Sequence, residues 1–332
     1  MAAVLLIVGL ALHLTIRDGW QPAAFAFYAL PATVLAIAAT SACVASRFAK
    51  PWLAVALGVA TWAATQTIAW NADAPADDRA AFRIAVWNTF HDTMAGADSF
   101  RVSRGIAVAD ADLALLIECG LGHDDGHNRY SLDGWSRRTG QRPIYLRNRF
   151  LALADVDAFP SDRPMPRHLP PGSEAAGLRR LTDLALTTPG ANRVLRLSLP
   201  DAGGGQRKAT VLLVHPPSTP TWDRTEVFAR LADEIETLAA AGPLIVLGDF
   251  NLPAGSVHFD RIRRTLRSVT EEAPGVRYLP TWPMPCPVLT LDQMWVSEEF
   301  LLHACQTPYA IASDHEAVVV TLTLRPADDA NE

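Results

Sequence analysis

Pro243-Leu-Ile-Val-Leu-Gly-Asp-Phe-Asn-Leu-Pro253 is the stretch from which the rest of the chain can be read. Four apolar residues, Leu244 to Leu247, predict a short buried strand, and Gly248 lets the backbone turn at its end. Beyond it Asp249 and Asn251 stand two residues apart, so in extended chain both side chains leave the same face. A carboxylate and an amide aimed together from a strand end suit a metal-bound phosphate and a water. Asp, Gly and Asn are also ordinary turn residues, so the stretch takes its meaning from what surrounds it.

Upstream, Thr221 to Ala241 is the best amphipathic helix of the chain: Val227, Phe228, Leu231, Ile235 and Leu238 share one stripe, and Gly242 ends it. Before it, Arg193 to Leu199 and Ala209 to His215 read as strands joined by the hairpin signal Asp201-Ala-Gly-Gly-Gly205. The second run stops at His215, where Pro216 and Pro217 cannot continue a ladder. Phe82-Arg-Ile-Ala-Val-Trp-Asn88 predicts a strand ending in an amide, and Ala111-Asp-Leu-Ala-Leu-Leu-Ile-Glu118 one ending in a carboxylate. Downstream, Thr290 to Ser297 is a strand carrying Asp292, and Ser313-Asp314-His315 precedes a closing strand over 316–324. The polar segment at 97–108 reads as a helix. Arginines between Arg137 and Arg149 read as a solvated loop and strand face, or alternatively as a local clamp for phosphates or lipid headgroups. Those from Arg261 to Arg267 read as a surface helix.

The 332 residues suffice for a large core plus an appendage. A net charge of −6 provides no global basic field for nucleic acid, though local phosphate contacts remain open. Cys43, Cys119, Cys286 and Cys305 are too scattered for a disulfide framework or zinc cluster, and a Cys286–Cys305 pair is left open. Hydrophobic residues make up 49% of the chain, with the excess at the N-terminus. There, apolar runs at about 2–16, 23–46 and 51–70 predict a transmembrane helical region over 1–70. Arg47 and Lys50 in the second loop outweigh Arg17 in the first, which places the second loop in the cytoplasm and the following domain on the non-cytoplasmic side. Residues 71–80 read as a polar linker, 81–326 as the main domain and 327–332 as a tail.

Asn88, Glu118, His215, the Gly248-Asp249-Phe250-Asn251 element, Asp292 and Ser313-Asp314-His315 stand in that order, each at the end or start of an expected strand. In this the chain resembles the endonuclease/exonuclease/phosphatase superfamily of deoxyribonuclease-like, metal-dependent phosphoesterases, over roughly residues 82–325. The N-terminal spans ahead of such a domain resemble a membrane-anchored bacterial branch. The resemblance implies an α/β (α+β) four-layer sandwich, two packed β-sheets flanked by helices. It also implies Mg²⁺ as cofactor, with Mn²⁺ the alternative, a phosphate-ester substrate, and residence in the bacterial cytoplasmic membrane. No protein partner is expected. Three features depart from the family's usual pattern. Ile117 stands where Gln is usual, Gln293 follows Asp292 where His, Tyr or Arg is usual, and no acid matches a second glutamate between Glu118 and His215. These departures bear on substrate class more than on catalysis.

Phosphoester hydrolysis needs a positioned water, neutralised charge on the non-bridging oxygens and help for the leaving oxygen. Glu118 is the expected ligand for a hard cation, with Asp314 within reach of it. Asp249 would orient and deprotonate the water, while Asn88 and Asn251 donate to phosphate oxygens. His315 would contact the scissile phosphate, its tautomer fixed by Asp292, and His215 would act on the leaving-group side. The expected function is membrane-anchored, Mg²⁺-dependent phosphoester hydrolysis of the nuclease type. Two alternatives stand beside it: a sphingomyelinase-like phosphodiesterase or phosphatase acting on lipids or small molecules, and a non-catalytic binding domain of the same fold.

Overall fold

The computed structural model describes residues 2–15, 17–19, 21–71, 81–89, 111–118, 141–146, 150–155, 174–175, 178–180, 193–218, 224–278, 280–308 and 313–326. One sheet runs, in spatial order, Arg267–Ser268, Asp292–Val296, Leu244–Asp249, Gln206–Val214, Arg193–Pro200, Leu178–Arg180 and Glu174–Ala175. The other runs Phe300–Gln306, Val318–Leu324, Phe82–Asn88, Leu113–Ile117, Phe150–Asp155 and Gln141–Leu146. Both are mixed. Leu244–Asp249 lies parallel to Gln206–Val214, and Phe82–Asn88 parallel to Leu113–Ile117, while their other neighbours are antiparallel.

Strand alternation sorts the side chains into layers. Ile84, Val86, Leu213, Ile245, Leu247, Met294 and Val320 face inward and form the core between the sheets. Leu212, Val214, Leu244, Val246 and Trp295 face outward, where the Arg224–Ala240 helix covers them with Val227, Phe228, Leu231 and Ile235. A strand buried on both faces has no polar positions, which is why Leu244 to Leu247 is an unbroken apolar run. Each such fully buried aliphatic side chain contributes about 1.5–3 kcal/mol. Two sheets flanked by helices therefore form the α/β sandwich. The helix expected at 97–108 lies outside the described residues.

The strand face expected in the arginine-rich stretch after Gly134 is a strand pair, Gln141–Leu146 with Phe150–Asp155. Arg261 to Arg267 does not lie on an α-helix but on short 3₁₀ turns and a strand start. Two of its charges are engaged: Arg261 pairs with Asp233 and Glu236, and Arg263 pairs with Glu271 and lies over the Trp295 ring. Cys286 is exposed and Cys305 buried, and no disulfide joins them.

The N-terminal region departs most. Among the described residues no helix is long and apolar enough to cross a membrane. The run expected to span at 23–46 is two helices, Gln21–Ala29 and Ala32–Ala45, because Pro31 disfavours helical backbone at Leu30 and starts the second helix as its N-cap. The run at 2–16 is the helix Ala2–Leu14, about 20 Å long at the α-helical rise. The run at 51–70 is the helix Lys50–Thr67, after which Ile68–Asn71 becomes a strand paired with Gly275–Tyr278. This pairing takes over the start of the expected linker. At its other end the helical unit is fastened by Arg17, which ion-pairs with Asp260 and donates to the Gly255 carbonyl at 3.0 Å, and by Asp18, which accepts from the Val257 amide at 2.9 Å.

Glu234, on the Arg224–Ala240 helix, is 7% exposed, and neither carboxylate oxygen has a hydrogen-bond partner among the described residues. Burial pushes its pKa up to about 7, well above the ordinary range of a glutamate. A carboxyl whose folded pKa is raised costs stability as pH rises from its unfolded pKa through its folded one, and the full cost persists above. Glu234→Gln is therefore expected to stabilise the protein by on the order of 2 kcal/mol above neutral pH, with no gain at acid pH. Thermal unfolding at acid and alkaline pH measures it, and an equal shift at both would remove the explanation.

Candidate active site

The strand registers bring the polar strand ends together. Parallel pairing of Asn88 with Ile117 sets Glu118 one step beyond, beside Asn88. Parallel pairing of Gly248 with Val214 makes Asp249 and His215 neighbours in the same way. Antiparallel pairing places Asp292 opposite Asp249. In the other sheet Val318 pairs with Val86, so Ser313 to His315 arrive at the end of the Phe82–Asn88 strand. The Ser313 hydroxyl donates to the Asn88 carbonyl at 2.7 Å and accepts from the His315 amide at 3.1 Å, while the Trp87 indole donates to the His315 carbonyl at 2.9 Å.

Asp249 is 1% exposed. One oxygen accepts from the Asn88 side chain at 2.9 Å, and the other from the Asn251 backbone amide at 2.9 Å. His315 Nε2 lies 3.8 Å from Asp249 Oδ2, and its Nδ1 is 2.7 Å from Asp292 Oδ2. Burial alone would lower the His315 pKa, but the carboxylates of Asp292, Asp249 and Asp314 outweigh it and push the imidazole up to about 10. Burial raises the Asp292 carboxyl, against the opposing pull of the imidazole. His215 Nε2 lies 3.4 Å from Glu118 Oε1.

Glu118 and Asn251 both have left-handed backbone, with φ of 53° and 52°. Asn adopts this conformation readily, whereas for Glu it costs on the order of 1 kcal/mol or more. At Glu118 the turn ends the strand and carries the carboxylate into the cavity. Asn251 donates its side-chain amide to the Pro216 carbonyl at 2.9 Å, tying the turn after Asp249 to the one after His215.

The eight expected site residues thus converge. Asn88, Glu118, His215, Asp249, Asn251, Asp314 and His315 line one cavity of about 300 Å³, and Asp292 is wholly buried behind His315. The carboxylates of Glu118 and Asp314 supply oxygen donors that fit a hard divalent cation. Asp249, Asp292 and His315 also place one donor atom each within 4.8 Å. His315 Nδ1 and Asp292 Oδ2 are already engaged with each other there, whereas Glu118 and Asp314 offer the all-oxygen donors that a hard cation prefers.

Sequence reasoning missed the supports. Trp282 donates to Asp314 Oδ2 at 3.1 Å, and the Thr281 hydroxyl accepts from the Asp292 amide at 3.1 Å. Gln293, an unexpected residue for the position, is buried and donates to the Leu252 carbonyl at 3.1 Å, bracing the turn that carries Asn251. Ile117 fills the core between the sheets. Arg224, buried at the start of its helix, donates to the Asn251 carbonyl at 2.7 Å.

The model of the Endonuclease/Exonuclease/phosphatase family matches residues 85–315, more than half of the chain. Among solved structures, the human Nocturnin catalytic domain with bound sulfate anion is similar at 16% identity and a TM-score of 0.52, with 74% of this chain and 94% of that chain covered. The endonuclease/exonuclease/phosphatase from Bacteroides vulgatus is similar at 14% identity and a TM-score of 0.50, with 74% and 100% covered. At these identities the likeness is one of fold. No curated protein matches the chain. The chain belongs to the endonuclease/exonuclease/phosphatase family and is, with that family, a hydrolase of phosphoric ester bonds.

Proposed function

We propose that the chain is a Mg²⁺-dependent phosphoesterase that hydrolyses phosphodiester or phosphomonoester bonds by attack of water. The observation that carries this is the fixed pair of Asp249 and His315. Both Asp249 oxygens are oriented by donors, and the imidazole is held within 3.8 Å of Asp249 by buried Asp292. Asp249 accepts the proton of the attacking water as it bonds to phosphorus. Protonated His315 faces the charge that develops on the phosphoryl oxygens. An amide carries two hydrogens, so Asn251 retains one for a phosphate oxygen after its bond to Pro216. His215 stands at the leaving-group side. A divalent cation held by Glu118 and Asp314 would neutralise phosphate charge.

The N-terminal helices support association with a membrane whose cytoplasmic face meets the Arg47–Lys50 connection. Apart from Leu301, the exposed large hydrophobic side chains among the described residues lie at or before Ile68. They include Val4, Ile7, Leu14, Ile37 and Leu57, an apolar surface that water does not suit.

The test uses the full chain in detergent with a phosphodiester panel: bis(p-nitrophenyl) phosphate, single- and double-stranded DNA, RNA and sphingomyelin. Cleavage is expected to stop with EDTA and return with Mg²⁺. Glu118→Gln should raise the half-saturating Mg²⁺ concentration by about tenfold or more. Cleavage indifferent to EDTA would sink the metal-dependent reading.

A further inference from the structure

The cavity has two chemistries. Its polar side is the phosphate machinery. The remainder includes Pro253, Trp282, Leu289, Leu291 and, from the N-terminal helices, Tyr28. Tyr28 belongs to the helix Gln21–Ala29, a segment remote in sequence from every other lining residue and not part of the matched family region.

Its placement is built. The Tyr28 hydroxyl donates to Asp18 Oδ2 at 3.0 Å, and Asp18, 3% exposed, holds the Val257 amide through its other oxygen. The Arg224 guanidinium lies 5.7 Å over the Tyr28 ring while donating to the Asn251 carbonyl. One continuous set of contacts therefore runs from the helical unit to the turn after Asp249. With its hydroxyl engaged by Asp18, Tyr28 offers the cavity its ring. Phosphate recognition does not require an aromatic or aliphatic wall, so that wall faces the organic group the phosphate carries.

Resting on the phosphoesterase reading, we infer that the N-terminal helical unit completes the active site. Tyr28, with Trp282 and Leu289, forms a subsite that selects phosphate esters bearing an apolar substituent over those bearing a small one. An aromatic ring and an alkyl chain share this chemistry, and the choice between them is left to the arms of the experiment.

Three diesters with one leaving group, the p-nitrophenyl phosphates of phenol, octanol and methanol, isolate the spectator group. The full chain is expected to show a KM for the phenyl or octyl ester about tenfold below that for the methyl ester. The preferred arm names the source, ring or chain. Tyr28→Ala should abolish that ratio, and Tyr28→Phe, which keeps the ring and loses the bond to Asp18, should restore it. If Tyr28→Ala instead lowers kcat alike for all three esters and keeps their KM ratio, Tyr28 is merely structural and the inference falls. Binding of diphenyl and dimethyl phosphate to the wild-type chain by calorimetry gives the comparison without turnover, including where the Ala variant fails to fold. Equal affinities overturn the subsite. Selective binding with no hydrolysis of any ester overturns the phosphoesterase reading and leaves the subsite standing, whereas hydrolysis of all three with one KM does the reverse.

Discussion

Asp249→Asn is expected to lower kcat by about three to four orders of magnitude, the upper range for loss of a positioned general base. The substitution keeps the shape of the side chain and removes its capacity to take a proton. It also removes one of two acceptors, since the carboxylate accepts from Asn88 on one oxygen and from the Asn251 amide on the other. The backbone amide cannot turn away, so the new carboxamide is expected to keep its oxygen toward Asn251 and present its nitrogen to Asn88. An Asn88 flip then turns a donor–donor clash into a hydrogen bond, and the fold survives. Steady-state kinetics with Mg²⁺, read beside the melting temperature, separate the effects. A rate near wild type in a folded variant would remove Asp249 from the chemistry.

The strand ends were legible because apolar runs that stop at a polar residue mark both a strand and its edge at once. Leu244–Asp249 and Phe82–Asn88 are such runs, and the side chains they deliver do meet. What brings them together was not legible. Nothing local in Ala209 to His215 says that it runs parallel to the Asp249 strand, and register is a property of pairs. The arginine-rich stretch around Gln141–Leu146 was legible as part strand, but nothing local names Phe150–Asp155 as its partner. Uniform apolarity at the N-terminus hid the break at Leu30–Pro31 and hid Tyr28 as well. In a run apolar on all sides, no periodicity separates a residue facing a cavity from one facing other helices. Arg224 lay inside the expected helix, and its task depends on a carbonyl in the Asn251 turn.

Gly248→Ala is expected to be the most damaging single methyl among the described glycines. A Cβ at this position would lie 1.9 Å from the Val214 carbonyl oxygen and 2.8 Å from its carbon. Both obstacles are backbone, and Val214 is the register partner of Gly248 across the parallel pair. No rotamer change relieves the contact, so the two strands must separate where the sheet is buried on both faces. The expected loss is more than about 4 kcal/mol, large against the usual net stability of a domain. Gly242 provides the control: its φ is 136°, yet a Cβ there meets nothing within 4 Å. Gly242→Ala should therefore cost only backbone strain, on the order of 1 kcal/mol. Because Asp249 follows Gly248 and His215 follows Val214, forcing these strands apart also separates two site residues. A displacement near 1 Å is worth about a hundredfold in rate. Any Gly248→Ala protein that does fold should thus melt well below the Gly242→Ala variant and turn over far more slowly. Equal melting temperatures for the two would contradict the parallel register that places Asp249 beside His215.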